Sequence, residues 1–218
     1  MGENYSSFHE ILNTIGEKLY IFGYGSLIWK PNFPYSQRMI GYIKGYKRRF
    51  YQSSITHRGT PKNPGRIVTL LLSKNKDDRV WGAAFEVVGK ENIRKTIDLL
   101  VVRETVQANY RFEKMPFYTK LDVDKKADPF PNIVEVFVCV AEPGNRDYAG
   151  KAPLEEQVMQ IVRAIGDAGP NVEYLAKLVD FIHTEVPEED QKFDQHTLDL
   201  WNFVHNYLKK PEDNNNLE

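Results

Sequence analysis

The sequence predicts an α+β fold with its strands first and its helices last. Three observations carry that expectation. Short apolar runs of strand length, separated by glycine, proline and polar turns, fill the first two thirds of the chain. A single stretch of helical spacing interrupts them near Glu91. After Gly150 the spacing becomes helical and remains so to the tail. Strand-rich sequence followed by helix-rich sequence points to an α+β domain rather than a doubly wound parallel sheet.

The elements follow in order. Leu19 to Phe22 is an apolar, aromatic strand that ends at Gly23-Tyr24-Gly25-Ser26, where two glycines allow a tight turn. Met39 to Tyr51, rich in aromatic and bulky residues and interrupted by Gly41 and Gly45, reads as one long bent strand. Arg58 to Gly65 holds two prolines and two glycines and is a loop. Ile67 to Leu72 and Arg79 to Val88 are strands, and Lys74 to Asp78 between them reads as a hairpin turn. Ile93, Ile97, Leu100 and Val101 make the apolar stripe of an amphipathic helix. Tyr110 to Val123 and Asn132 to Val140 return to strand character. Three helices follow. The first is marked by Leu154, Val158, Ile161, Val162 and Ile165, with Pro153 near its start. Tyr174, Leu175, Leu178, Val179 and Ile182 mark the second, and Phe193, Leu200, Phe203, Val204 and Tyr207 the third.

Composition narrows the function. The 218 residues carry 29 basic and 30 acidic side chains, for a formal net charge of −1. That balance argues against nucleic acid or an anionic membrane as a partner, since both need a basic excess. No apolar run approaches the roughly 20 residues of a membrane helix. One cysteine excludes an intramolecular disulfide and suits a reducing compartment. No secretory signal is apparent in the first twenty residues. Met1 to Ser6 fits the loose myristoylation pattern, but the acid after Gly2 and the lack of a basic cluster favour an ordinary start.

Several residues could carry chemistry. Gly23-Tyr24-Gly25-Ser26-Leu27 follows a strand and can present backbone N–H groups to a carboxylate or carbonyl oxygen. It lacks the third glycine of a dinucleotide fingerprint and the Gly-Lys-Ser/Thr of a phosphate loop, and a plain tight turn remains the alternative. Glu104 ends the inserted helix, where the dipole repels a carboxylate; in an apolar pocket its pKa would rise toward neutrality. A solvated surface carboxylate is the competing account. Arg58 and Arg66 flank the proline-glycine loop and suit either a substrate carboxylate or the loop's own carbonyls. His57 suits a general base or a loop hydrogen bond. The five histidines show no metal-ligand spacing, so no metal is expected, and Cys139 reads as a small core residue. Lys44 to Tyr51 mixes basic and aromatic residues, but in a chain with no basic excess it reads as a strand with one solvated face.

Taken together these motifs resemble the ChaC family of glutathione-specific γ-glutamylcyclotransferases. The likeness rests on Tyr20 to Trp29, Gly41-Tyr42-Ile43 with Arg48 to Gln52, His57 to Pro61 with Pro64-Gly65-Arg66, and Val80 to Ala84. Arg103-Glu104, Gly150 to Glu155 and Asn171 to Leu175 complete it. It spans residues 19–208, a single domain, leaving residues 1–18 as an N-terminal extension and 209–218 as a polar tail. The resemblance implies a compact mixed β-barrel with flanking helices. It also implies a cytosolic enzyme without cofactor that turns glutathione into 5-oxoproline and Cys-Gly. By the same resemblance Tyr24, Gly25, Ser26 and Leu27 bind the γ-glutamyl group and Glu104 is the catalytic base. Apart from the resemblance, Arg58 is a candidate clamp for a substrate carboxylate and Tyr174 a candidate hydroxyl donor to the substrate.

Three departures stand beside it. Thr56 occupies a position where the family usually has aspartate. Residues 105–109 replace a short glycine-rich turn, and residues 166–170 form a Gly-Pro-rich link of their own. They keep two alternatives in view: a γ-glutamyl-binding or protein-interaction module on the same scaffold, and a cyclotransferase for another γ-glutamyl compound.

Overall fold

The computed structural model describes residues 4–5, 16–105, 110–120, 132–141 and 144–209. Its strands are β1 (Asn4–Tyr5), β2 (Lys18–Gly23), β3 (Gln37–Lys44), β4 (Tyr46–Ser54), β5 (Gly65–Leu72) and β6 (Arg79–Val88). Helix α1 (Lys90–Leu100) runs into a π-helical turn at Val101–Thr105, and β7 (Tyr110–Thr119) and β8 (Ile133–Ala141) follow. The last third holds α2 (Leu154–Arg163), the two-residue strands β9 (Ile165–Gly166) and β10 (Gly169–Pro170), α3 (Asn171–Glu185) and α4 (Gln195–Lys209). Most of the N-terminal extension and of the tail, and the segment 106–109, lie outside the described residues.

Five strands close on themselves in the order β7-β3-β6-β2-β8, with β8 pairing back to β7 and β1 adding two residues beside β7. Every barrel pairing is antiparallel except β2 with β8. Closure leaves these strands no open edge. The α+β class and the mixed barrel are therefore both present.

Side-chain alternation splits the core in two. Leu19 and Ile21 of β2 join Ala83, Phe85 and Val87 of β6 in a cluster capped by Ile93, Ile97 and Leu100 of α1. Phe22, Val80 and Ala84 face the opposite way, into a larger cluster with Leu175, Leu178 and Ile182 of α3 and Leu200 and Val204 of α4.

Two sequence expectations change. Met39 to Tyr51 is not one strand: β3 ends at Lys44, Gly45 takes φ +80°, and β4 belongs to a separate two-stranded ribbon with β5. Glycine adopts that backbone angle without the steric cost that most side chains meet there. Lys74 to Asp78 is likewise not a hairpin turn, because β5 pairs with β4 while β6 pairs with β3 and β2. The two crossings occur side by side. The Gly45 amide donates to the Asp78 carbonyl and the Ser73 amide to the Gly45 carbonyl, each at 2.8 Å. A double strand thus folds over from the barrel into the β4–β5 ribbon, which lies against α2, α3 and α4.

Candidate active site

The end of β2, the ribbon loop after Ser54 and the C-terminal end of α1 enclose a cavity of about 540 Å³. Its wall includes Ser26, Trp29, Arg58, Arg103 and Tyr174. A smaller pocket of about 60 Å³ adjoins it, walled by Tyr24, Gly25, Ser26, Leu27 and Tyr174 among others. Ser26 and Tyr174 border both spaces. A volume of several hundred Å³ suits a small peptide-like ligand.

The turn that borders both spaces is built by close packing. β2 ends at Gly23, and Ser26–Ile28 forms one turn of 3₁₀ helix in which the Ile28 amide donates to the Gly25 carbonyl at 2.9 Å. A Cβ on Gly25 would stand 2.7 Å from the Tyr174 hydroxyl oxygen and 2.8 Å from a Val68 methyl, closer than side chains tolerate. The first N–H groups of such a turn have no carbonyl of their own helix to reach, which leaves them for a ligand. The Tyr24 hydroxyl, by contrast, is buried and donates to the Cys139 carbonyl at 2.9 Å. Tyr24 contributes its ring to the wall of the small pocket while its hydroxyl ties β2 to β8.

Tyr174 is held by a device absent from any local pattern. Asn171, fully buried at the start of α3, accepts from the Arg66 amide at 2.7 Å and donates to the Arg66 carbonyl at 2.8 Å. It acts as a strand partner for β5 and fixes the helix that presents Tyr174 one turn later. The Tyr174 ring meets Trp29 at 5.4 Å and Phe50 at 5.9 Å, both edge-on. Its hydroxyl accepts from the Val68 amide at 3.4 Å.

The arginines divide. Arg66 is buried and its guanidinium serves the carbonyls of Phe50 and Gly150, each at 3.1 Å, and Gln160. It is a structural clamp rather than a substrate ligand. Arg58 faces the cavity, yet its Nη1 donates to the Pro170 carbonyl at 3.0 Å and approaches Glu173 at 3.4 Å. Its guanidinium therefore already braces the start of α3. Arg103 reaches across the cavity wall to donate to Ser26 Oγ at 2.7 Å and to the Lys30 carbonyl at 2.9 Å. Glu104 comes next in the same π-helical turn, and its side chain lies outside the described residues.

Thr56 and His57 stand on the rim, with Thr56 Oγ1 3.3 Å from His57 Nδ1. Burial, and then the positive charge of Arg103, push the His57 pKa below its ordinary value, so the ring is neutral at pH 7. The Gly-Pro-rich link forms the small β9–β10 hairpin, whose Asp167 and Ala168 amides donate to the Thr56 and His57 carbonyls.

Among the described residues, no group of three His, Cys, Asp or Glu side chains is gathered as a metal centre needs, and no helix is long and apolar enough to cross a membrane. The arrangement offers backbone donors at a turn, the Ser26 hydroxyl within it, the Tyr174 hydroxyl against Gly25, and an arginine that ties the turn to the end of α1. Ser26, Arg58 and Tyr174 meet at one cavity, and Tyr24, Gly25 and Leu27 meet at the smaller pocket that adjoins it. Sequence reasoning assigned no role to Trp29, Arg103 or Asn171. Their contacts lie far away along the chain, so no local spacing announces them.

Known proteins resemble the chain over this whole region. Residues 19–207 match the family model described as ChaC-like protein. The glutathione-specific γ-glutamylcyclotransferase 1 of Danio rerio is 41% identical over 172 residues, covering 79% of this chain and 83% of the relative. The γ-glutamylcyclotransferase 2-3 of Arabidopsis thaliana is 38% identical over 198 residues, covering 89% and 92%. The crystal structure of a yeast γ-glutamylcyclotransferase specific to glutathione superposes with a TM-score of 0.73 at 25% identity, covering 87% of this chain and 97% of that one.

Proposed function

The chain belongs to the ChaC-like protein family, and from that premise we propose that it is a glutathione-specific γ-glutamylcyclotransferase acting in the cytosol. The substrate's own α-amine attacks its γ-carbonyl carbon. A C–N bond forms to close the five-membered ring, and the bond to the cysteine nitrogen breaks. The products are 5-oxoproline and Cys-Gly, and no water is consumed.

The α-amine is protonated at neutral pH and must first lose a proton. Glu104 takes it and returns a proton to the departing cysteine amine, a role worth about 10²–10⁴ in rate for a positioned acid–base group. The amides of the Gly25-Ser26-Leu27 turn hold the oxygen of the γ-carbonyl as it gains negative charge, at roughly 3 kcal/mol per donor. Ser26 and Tyr174 add hydroxyls beside that turn. Holding amine and carbonyl together removes the entropic cost of bringing them into contact.

One observation carries this reading: the Tyr24–Leu27 turn and Tyr174 border one pair of adjoining spaces that share Ser26, and Arg103, the residue before Glu104, lines the larger space and bonds Ser26. The decisive test is release of 5-oxoproline from reduced glutathione by the purified protein, with Glu104→Gln in parallel. The reading expects release that falls at least about a hundredfold in the variant. Wild-type release by Glu104→Gln would refute the assigned base, and release from γ-glutamyl amino acids but not from glutathione would reassign the substrate.

A further inference from the structure

Among the described residues of the cavity wall, Arg103 joins the γ-glutamyl turn to the segment of the base. Arg103 donates from Nη2 to Ser26 Oγ at 2.7 Å and from Nη1 to the Lys30 carbonyl at 2.9 Å. Ser26 begins the 3₁₀ turn and Lys30 follows it, so one guanidinium grips the turn at both ends. These partners lie 77 and 73 residues away in sequence. Arg103 itself sits in the π-helical turn Val101–Thr105, directly before Glu104. Such widened turns recur at functional sites because they redirect side chains within a helix.

We propose that Arg103 is a positioning residue for the cyclotransferase reaction. It fixes the distance between the Gly25–Leu27 turn, which receives the γ-carbonyl, and the backbone that carries Glu104. The proposal rests on the cyclotransferase reading and adds a residue to it. Arginine suits the task because its planar fork serves two acceptors at a set separation, which a lysine ammonium cannot match. The bond to Ser26 has a second effect. A hydroxyl oxygen that accepts from a guanidinium becomes a better donor, and Ser26 borders both spaces. Arg103 therefore turns the Ser26 O–H toward the ligand's oxygen. Without it the turn and the base drift independently, and about 1 Å of drift costs about a hundredfold in rate.

Two measurements on the full chain test this. The first is steady-state release of 5-oxoproline from reduced glutathione by the wild type, Arg103→Lys and Arg103→Met. We expect kcat to fall about hundredfold for Arg103→Met and about tenfold for Arg103→Lys, with KM changed by less than about threefold. Wild-type kcat in Arg103→Lys would overturn the proposal. So would a raised KM at constant kcat, which marks a direct substrate ligand, or a kcat loss no larger than the loss of folded protein. The second measurement is amide hydrogen exchange at Ile28 and Lys30, whose N–H groups bond to the Gly25 and Ser26 carbonyls. Exchange at both rises about tenfold in Arg103→Met, or in Arg103→Lys should the first variant not fold. Unchanged exchange contradicts the clamp. If the wild type releases no 5-oxoproline, the cyclotransferase reading fails by itself, and the exchange result still decides whether Arg103 holds the turn.

Discussion

Two polar regions of this molecule use similar residues for opposite ends. Around Ser26, arginine, hydroxyl and tyrosine groups border open volume, and Arg58 and Arg103 both face it. Where the β4–β5 ribbon meets α4, arginine and carboxylate are sealed from water. Arg48 and Asp194 are 0% and 1% exposed with Nη1 and Oδ1 3.5 Å apart, and Arg48 also donates to the Trp81 carbonyl. Beside them Asp190 accepts from Arg79 at 2.6 Å and from Trp81 Nε1 at 3.0 Å. His196 completes the group, its Nε2 accepting from the Phe50 amide at 3.4 Å. Charge alone does not mark a site. What distinguishes the cavity is that its polar groups border space a ligand can fill, whereas the Arg48–Asp194 pair at the junction is enclosed by protein.

The largest effect that sharpens the contrast is at the junction. Asp194→Ala leaves Arg48 as an uncompensated buried charge and lowers unfolding free energy by about 3–5 kcal/mol. Chemical denaturation reads that loss, while KM for glutathione stays at the wild-type value. A raised KM would dissolve the distinction between the two regions.

His196 comes next. Burial holds its pKa down to about 4, against an ordinary value near 6.5. The unfolded chain therefore takes up the proton first. The stability from keeping this ring neutral is fully present above about pH 6.5 and is lost as pH falls toward 4, to the extent of about 3 kcal/mol. Urea titrations at pH 7 and pH 4 measure it, and His196→Gln flattens that part of the profile. An unaltered profile in the variant would show that the junction does not exclude the proton.

On the cavity side, Gly25→Ala drives a methyl against the Tyr174 hydroxyl and Val68. Displacing the turn lowers kcat/KM for glutathione about a hundredfold, close to 3 kcal/mol. Wild-type kinetics would mean that the turn does not hold the reacting carbonyl. The smallest effect belongs to Tyr174→Phe. It removes one long hydrogen bond to the Val68 amide and one hydroxyl at the cavity, for a loss of tenfold or less in kcat/KM.

The contrast also explains what the sequence discloses. Glycine spacing at Gly23 and Gly25, and apolar periodicity in β2, β6, α1 and α3, are local signals, and the structure contains the turn, strands and helices they predict. Pairing is not local. Lys74 to Asp78 has turn composition, but composition does not say which sheet receives the next strand. The fold-over of a double strand at Gly45 decides it. Arg58, Arg66 and Arg103 look alike in sequence. Their roles differ because Arg66 finds carbonyls at Phe50 and Gly150, Arg58 finds Pro170, and Arg103 finds Ser26 and Lys30. Asn171 shows the same limit: an asparagine at a helix start reads as an ordinary cap, and only the tertiary fold supplies Arg66 as its partner.

The central claim is that the Gly25–Leu27 turn and Glu104 together close a ring within glutathione. The most direct measurement is a single-turnover time course of 5-oxoproline and Cys-Gly from reduced glutathione, run with wild type and Glu104→Gln at pH 7.5. The account predicts equimolar products from the wild type and a rate at least about a hundredfold lower in the variant. Products formed equally fast by both proteins, or glutathione bound and left intact by the wild type, would contradict it.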